Sequence, residues 1–595
     1  MRFLSRQSIS RAKKLVPFSR GDHVPKLMRL AGQLDWPQDP EFCRVLAARV
    51  SASPRGKVAI IGCASAPRVA ELLRSRFPRL RLLVIDPRME PSEAHVALAA
   101  RNPIHLLVDL AESSAAGQVD VFRRTFMHLA PNGCYLARAV VPGEKAAASG
   151  GTDGFDLTEL IRLASDTPYD RSKSEQVRDL ACLGVSIAEV RQVGHGVLVR
   201  NARRLRPKLR DFELNPILQA RPKLGRVVES RPESSFQSRC NYGDSYGFEA
   251  RDSRKVHQDP YRLQTFTMPP LHLRLYAQPI CARGQIVESK GLLLPDTYRH
   301  QWQRRLTNMY INDVAPLFGE VRADLRKAAP IPGAYFHFDS EWPGHFGHTM
   351  TEQISRLWAY ERAKQLDPRL RLLTTLQKSR ASQQLLPWES ALLGAYGIPP
   401  DDVVIFDQPV QPERLYAATP MFSCPQWVHP EIDQIWNRLA RGLIAKATTE
   451  NRPRRIFCSR RVALKRACRN TGEVEEIFAA SGFSVIYPED YPLPDQAAMF
   501  AEADVIGGFA GSGLFSLAFC ETPKTVIMIS PKSYTARNEY QIASVRGHRL
   551  RVVWSRPDIP HPVGGWTAEA FGSSFAVNLQ HEGRYLRGLL ENLES

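Results

Sequence analysis

The 595-residue sequence predicts an α/β protein of more than one domain. Three observations carry that prediction. The chain is far longer than a single hydrophobic core supports. Short apolar runs of the kind buried in parallel sheets, such as Lys57–Ile61 and Arg455–Cys458, alternate with segments of helical spacing. Two of the strand ends run into glycine, at Gly62 and at 507–513, where open α/β sheets commonly hold nucleotides.

Composition narrows the function classes. With 43% hydrophobic and 24% charged residues, the chain has the profile of a folded globular protein rather than a disordered one. The longest apolar runs, such as 58–61 and 525–529, are far too short to cross a bilayer, and 1–14 has no signal-peptide apolar stretch, so a cytoplasmic protein is expected. The ten cysteines form no CxxC pair, which argues against a zinc ribbon or a disulfide framework. Lys and Arg number 80 against 61 acids, a net charge of +19, with the excess concentrated in 1–30 and 203–239. Solvated basic linkers are the expectation there, with peripheral contact at the anionic inner face of a membrane as the alternative. Nucleic acid is disfavoured, because neither stretch interleaves the aromatics that stack on bases.

The predicted order is a basic leader at 1–45, a Rossmann-like domain at 46–202, a basic linker at 203–245 and a longer α/β region at 246–595. Arg-Pro pairs at 206–207, 221–222 and 231–232 interrupt any helical or strand period and suggest the linker. In the first domain, Lys57–Ile61 ends at Gly62. A helical segment over 67–77 then leads to a strand over 80–85 that ends in Asp86, giving a βαβ unit. An acid 24 residues beyond Gly62 sits where a ribose would be held, so Gly62 and Asp86 are the candidate nucleotide-binding residues of this domain. With the strand at 104–108 and the Pro-Asn-Gly turn at 131–133, this order resembles the S-adenosylmethionine-dependent methyltransferase fold over about 46–145. The resemblance implies S-adenosylmethionine as a ligand. The loop departs from the family's glycine-rich pattern, reading Gly-Cys-Ala-Ser-Ala-Pro at 62–67, so an inactive or docking domain is the favoured expectation.

From 266 onward two halves are expected, about 266–445 and 446–580. In the first, His345, His348, Glu352 and Arg356 follow i, i+3, i+7, i+11 spacing on a helix after the strand at 335–338, which places them on one side. A His and a Glu one turn apart can share a proton near neutral pH. The alternatives are a polar helix face with Glu352 paired to Arg356, or a metal held by His345, His348 and Glu352 with His337 or Asp339. In the second half, Arg455–Cys458 runs into Arg460, Arg461, Lys465, Arg466 and Arg469. Guanidinium forks after a strand suit diphosphate oxygens. A later strand opens into Gly507-Gly-Phe-Ala-Gly-Ser-Gly513, where glycine lets backbone approach a ligand and a helix start favours negative charge.

Together these motifs resemble glycosyltransferase family 61 over roughly 266–545. They are His348 with Glu352 and Arg356-Leu357; Cys458-Ser-Arg460 with Arg466 and Asn470; Gln496 and Ala503 before a strand; and Gly511-Ser-Gly-Leu514 with Phe519. The resemblance implies a two-Rossmann-half arrangement of GT-B type. It further implies inverting transfer from a nucleotide-sugar to a glycan acceptor, no required cofactor or metal, and a place in capsular or cell-surface polysaccharide synthesis. It assigns the base to Glu352 with help from His348, Asp339 in reserve, and donor diphosphate binding to Arg460, Arg466, Asn470, Gly511, Ser512 and Gly513. The chain carries Ala510 and Ser516 where the family commonly has His and Asn, and Thr471 where an acid is common. An inactive sugar-nucleotide-binding scaffold and a methyltransferase acting through the first domain are the rival readings.

Overall fold

The computed structural model describes residues 39–110, 114–138, 156–243, 246, 264–377, 384–461, 465–563 and 565–593. The expected leader at 1–45 lies almost wholly outside the described residues. The chain divides into two compact units, Met1–Leu205 and Arg206–Ser595. The α/β class is borne out in both. No helix among the described residues is long and apolar enough to cross a membrane.

The first unit is built on one six-stranded sheet. Its order is Arg81–Ile85, Lys57–Ile61, Ile104–Asp109, Leu129–Arg138, Gly196–Asn201, Ile187–Val193. The first four strands are parallel, while Gly196–Asn201 runs antiparallel to both of its neighbours. Val58 and Ile60 project to one face by the two-residue strand period and share a buried cluster with Leu46 and Val50 of helix Pro40–Ala52. That helix begins where Asp39 accepts the Phe42 amide at 3.0 Å, an N-cap that fixes its start.

The second unit holds two larger sheets. One is wholly parallel, in the order Asn241–Tyr242, Arg549–Ser555, Thr525–Pro531, Val505–Phe509, Arg455–Cys458, Ser484–Ile486. The other is a nine-stranded mixed sheet whose parallel centre runs Val410–Ala418, Ala329–His337, Arg371–Thr374, Val403–Ile405. One continuous core joins them. Helix Ile432–Ile444 buries Ile435, Trp436, Leu439, Ala440 and Leu443 on one stripe and packs against both Pro387–Tyr396 and Leu493–Glu502.

Residues 206–243 of the segment expected as a linker, 203–245, are folded into this unit. Strand Gly225–Arg231 pairs with Leu271–Ala277 of the mixed sheet, and Asn241–Tyr242 completes the edge of the parallel one. The prolines that suggested a linker occupy tolerated places: Pro207 in a two-residue strand, Pro222 at the first position of a short helical turn. The basic residues are partly buried and paired. Lys208 donates to Asp313 Oδ1 at 2.5 Å and to the Leu306 carbonyl at 2.7 Å. Leu209, Leu214 and Ile217 are buried beside it, so charge density misled where apolar spacing should have counted.

Candidate active site

The parallel sheet of the second unit has a topological switch point. From Arg455–Cys458 the chain moves to Ser484–Ile486 on one side, then crosses to Val505–Phe509 on the other. Crevices outside the carboxyl ends of such strands are where α/β sheets bind ligands. The register makes the crevice chemically specific. Cys458 pairs with Gly508, so the segments that follow leave the sheet side by side. A Cβ placed on Gly511 would lie 3.1 Å from Arg460 Nη1 and 3.3 Å from Arg466 Nη2, and Gly511 has φ +138°, a region that glycine alone enters readily. Both guanidiniums therefore press on the glycine turn.

Neither is neutralised. Among the described residues no carboxylate lies within salt-bridge range of Arg460 or Arg466, and Arg460 donates only to the Ala510 carbonyl at 3.2 Å. Burial first, and repulsion from Arg466 second, push the Arg460 pKa down to about 10. Arg466 stands over the rings of Tyr534 and Phe571, at 4.7 and 5.3 Å, with its Nε buried and unpartnered. Of the neighbouring cations, Arg461 pairs with Asp490 at 2.6 Å and Arg469 pairs with Asp558, while Lys465 is exposed. Two adjacent, partly desolvated guanidiniums with no carboxylate in salt-bridge range among the described residues form a receptor for a polyanion. Arg460 lines a cleft of about 770 Å³, together with Gly511, Ser512, Gly513, Tyr491, Phe346 and Trp388 among others.

Opposite stands the turn that carries His348. It is not a regular α-helix: Phe346–His348 is followed by a π-helical turn over Thr349–Gln353 and then a tighter 3-10 stretch, Ile354–Ala359. Such wide turns recur at functional sites. His348 Nδ1 lies 2.9 Å from Glu352 Oε1. Glu352 is also gripped by Arg299, whose Nε donates to both carboxylate oxygens at 2.9 and 2.8 Å and whose Nη2 donates at 2.7 Å. Burial pushes the Glu352 pKa up, but the Arg299 charge and then His348 outweigh it and hold the carboxyl well below its ordinary range. Trp342, 41% exposed, stacks on the His348 ring at 5.8 Å, and the His345 ring lies 4.6 Å from that of His348. Burial and then His348 lower the His345 pKa to about 4. The two sides touch: a Cβ on Gly347 would lie 3.1 Å from Ser512 Cβ.

The family model described as Glycosyltransferase 61 matches residues 346–528, which begins at this turn and runs past the glycine loop. Residues 346–528 therefore carry a glycosyltransferase family 61 domain. No curated protein sequence matches the chain. Among solved structures, MycE methyltransferase from the mycinamycin biosynthetic pathway, in complex with Mg and SAH, is 14% identical over 30% of this chain and 55% of that chain, with a TM-score of 0.23. A second crystal form gives 16% identity, coverage of 30% and 54%, and a TM-score of 0.24. This chain spans about half the length of those methyltransferases, and likenesses with such low scores support no conclusion about fold or activity.

Within the second unit, other expected site residues are placed differently. Asp339 is wholly buried and consumed: Oδ1 accepts from the Thr375 amide and hydroxyl at 3.0 and 2.5 Å, Oδ2 from the Gln285 amide at 2.7 Å. Burial raises its pKa and those bonds oppose the shift, so Asp339 ties strand ends together and is not set out to take a substrate proton. Asn470 gives both ends of its amide to the Val577 backbone, each at 2.9 Å, and anchors the chain near 577. Arg356 does not pair with Glu352. The π turn rotates it away, and it donates to the Asp339 carbonyl at 2.8 Å. Thr471 donates to the Cys468 carbonyl at 2.6 Å, Ala510 is buried, and Ser516 is buried with its hydroxyl unpartnered.

Among the described residues no group of three or more His, Cys, Asp and Glu side chains is arranged to hold a metal. Glu352 is committed to Arg299, and His337 is buried and held neutral by burial and by Arg356. In the first unit, Gly62 is buried and donates its amide to the Ile85 carbonyl at 3.0 Å. Asp86 accepts from Arg88 Nε at 3.1 Å, from its Nη2 at 2.8 Å and from its amide at 2.9 Å. The Arg88 side chain, bonded to it, drives the Asp86 pKa far down.

Sequence reasoning missed Arg299, Glu539 and Trp342. Glu539 Oε1 accepts the Gly511 amide at 2.6 Å, and burial raises its pKa to about 7. Nothing local marks Arg299 or Glu539, whose partners lie 53 and 28 residues away. Trp342 could have been found as an aromatic in the loop just before the His345 turn.

Proposed function

We propose that this glycosyltransferase moves a sugar from a nucleoside-diphosphate donor to a glycan hydroxyl with inversion at the anomeric carbon. The observation that carries the reading is the Arg460–Arg466 pair on the Gly511 turn, beside Ser512, which abuts Gly347 of the turn that carries His348, while Arg460 and Phe346 line one cleft. His348 is the general base, and this revises the expectation that Glu352 would be. Glu352 is held ionised by Arg299 and serves to fix the His348 ring through Nδ1, leaving Nε2 to take the proton. The acceptor oxygen then bonds to the anomeric carbon as the carbon–oxygen bond to the diphosphate breaks. The electron pair leaves with the nucleoside diphosphate, whose growing charge is met by Arg460, Arg466 and the helix start at Ser512 and Gly513. The arginines supply the charge neutralisation, so neither a metal nor a cofactor is assigned. The two sheets sharing one core and meeting at this cleft support a GT-B-type reading, with the donor on the parallel sheet and the acceptor toward His348. A role in capsular or cell-surface polysaccharide synthesis, in the cytoplasm or at the inner membrane face, follows from the family resemblance. A panel of UDP- and GDP-linked sugars, scored for nucleoside diphosphate release with mixed glycan acceptors, tests the reading; silence across it favours the scaffold alternative.

The first unit supports a second, narrower reading. Its sheet ends with one strand inserted antiparallel beside four parallel ones, the order expected of a methyltransferase-like fold. With Asp86 locked to Arg88, this unit is assigned a structural or docking role without S-adenosylmethionine turnover. Calorimetry with S-adenosylmethionine decides it.

A further inference from the structure

We propose that a second pocket in the glycosyltransferase unit, walled by Phe212, Trp302 and Trp427, is the subsite that holds a neutral sugar ring of the acceptor glycan. The proposal rests on the sugar-transfer reading above. The pocket has a volume of about 260 Å³ and is lined in addition by Pro420, Arg299 and Gln301.

Its position follows from Arg299. The residue that lines this pocket is the one whose guanidinium holds Glu352, which in turn holds His348. The pocket is therefore linked to His348 through Arg299 and Glu352. A glycan seated there extends toward His348, where the exposed ring of Trp342 offers the next stacking face.

Its chemistry is that of sugar recognition. Phe212 is 64% and Trp302 40% exposed, unusual for rings this large. Phe212 projects from the first turn of helix Asp211–Ala220 while Leu214, Ile217 and Leu218 of the same helix are buried, so its exposure is not a failure of core packing. The C–H faces of a pyranose are apolar and lie flat on such rings, while its hydroxyls bond to polar groups at the rim. Trp427 contributes an indole N–H that is buried and unpartnered. The charges around the pocket are already matched: Asp211 pairs with Arg274 at 2.7 Å, Arg210 with Glu213 at 3.5 Å, and Arg299 is committed to Glu352. Matched charge favours a neutral sugar over an acidic one or a phosphate. Phe212 and Trp302 both lie outside residues 346–528, so acceptor choice is built from segments that precede the matched family region.

Saturation-transfer NMR with xylohexaose, cellohexaose and mannohexaose, beside calorimetry with UDP and GDP, tests this on the full chain. Wild-type protein is expected to bind a nucleoside diphosphate and to saturate the ring protons of at least one hexasaccharide. Trp302→Ala and Phe212→Ala each weaken that glycan by about tenfold, the scale of one lost aromatic contact, and leave nucleotide affinity unchanged. Trp302→Phe, which keeps a ring, retains most of the binding. Unchanged glycan affinity in both alanine variants, or no response from any hexasaccharide while the nucleotide binds, overturns the subsite and leaves the transfer reading standing. Failure to bind either nucleotide sinks the transfer reading itself, and this proposal with it. Trp302-dependent binding of a Ser/Thr-rich peptide in place of every glycan overturns the sugar assignment.

Discussion

The two units each present adjacent parallel strands with a crossover at their carboxyl edge, yet the two edges are chemically opposite. In the first unit the charged residue at that edge, Asp86, is saturated by Arg88 two residues on. In the second, Arg460 and Arg466 are packed together with no carboxylate in reach among the described residues. The same contrast divides the acids near His348: Glu352 and Asp339 have every strong contact filled, while His348 shares one ring nitrogen and remains partly open. Fold places a crevice, and unspent polar atoms decide whether it is a site.

The contrast is tested hardest at His348. His348→Ala is expected to lower the transfer rate by about 10²–10⁴-fold with little change in donor affinity, the usual yield of general-base catalysis. Glu352→Gln is expected to behave differently, because it strands Arg299 and costs about 3–5 kcal/mol of stability besides slowing transfer. Equal loss in both variants without destabilisation of the second would return the base role to Glu352. Next in size, Arg460→Ala or Arg466→Ala is expected to reduce kcat/KM by about 10²–10³-fold. Lysine at either position should recover only part, lacking the fork that spans two oxygens. A loss under threefold would mean the diphosphate binds elsewhere.

Much of this edge was legible from sequence. Lys57–Ile61, Arg455–Cys458 and the glycine turn are local signals, since strand period and glycine need no distant partner. Cys458 facing Gly508 then brings motifs that are separate in sequence to adjacent strand ends. What failed was the partnering of charges. Asn470 sits within the arginine motif, but its amide is claimed by Val577, 107 residues on. The π turn after His348 broke the regular spacing that had put Arg356 beside Glu352. The 203–245 segment was misread because prolines and arginines are loop signals only when their side chains stay in water, and Lys208 and Arg210 do not.

A smaller effect is expected from pH. Glu539 faces Tyr534, Cys424 and Arg466, and holds the Gly511 amide. Burial raises its folded pKa to about 7, above its unfolded value. A raised acid contributes stability that is full below the unfolded pKa and is lost as pH rises through about 7. Above that point its negative charge also competes with the donor diphosphate for Arg466. Donor KM is therefore expected to rise a few-fold between about pH 6 and pH 8, and Glu539→Gln to flatten that rise. A wild-type profile that is already flat would mean that Glu539 is ionised throughout and belongs to the donor site as a fixed acceptor.

The smallest effect is expected where the first unit is probed. Asp86→Ala should leave sugar transfer unchanged, because the carboxylate serves only the exposed Arg88 and neighbouring Cys63. S-adenosylmethionine should give no heat on titration into the full chain, since its ribose hydroxyls would have to displace Arg88 from both Asp86 oxygens. Arg88→Ala separates two explanations for that silence. If the salt bridge alone closes the site, removing Arg88 frees Asp86 and binding appears. If the loop at 62–67, with glycine only at Gly62, keeps the backbone too far away, Arg88→Ala stays silent as well. Heat from the wild-type chain would break the comparison outright, for it would mean that a locally spent carboxylate can still be the acid of a working nucleotide site.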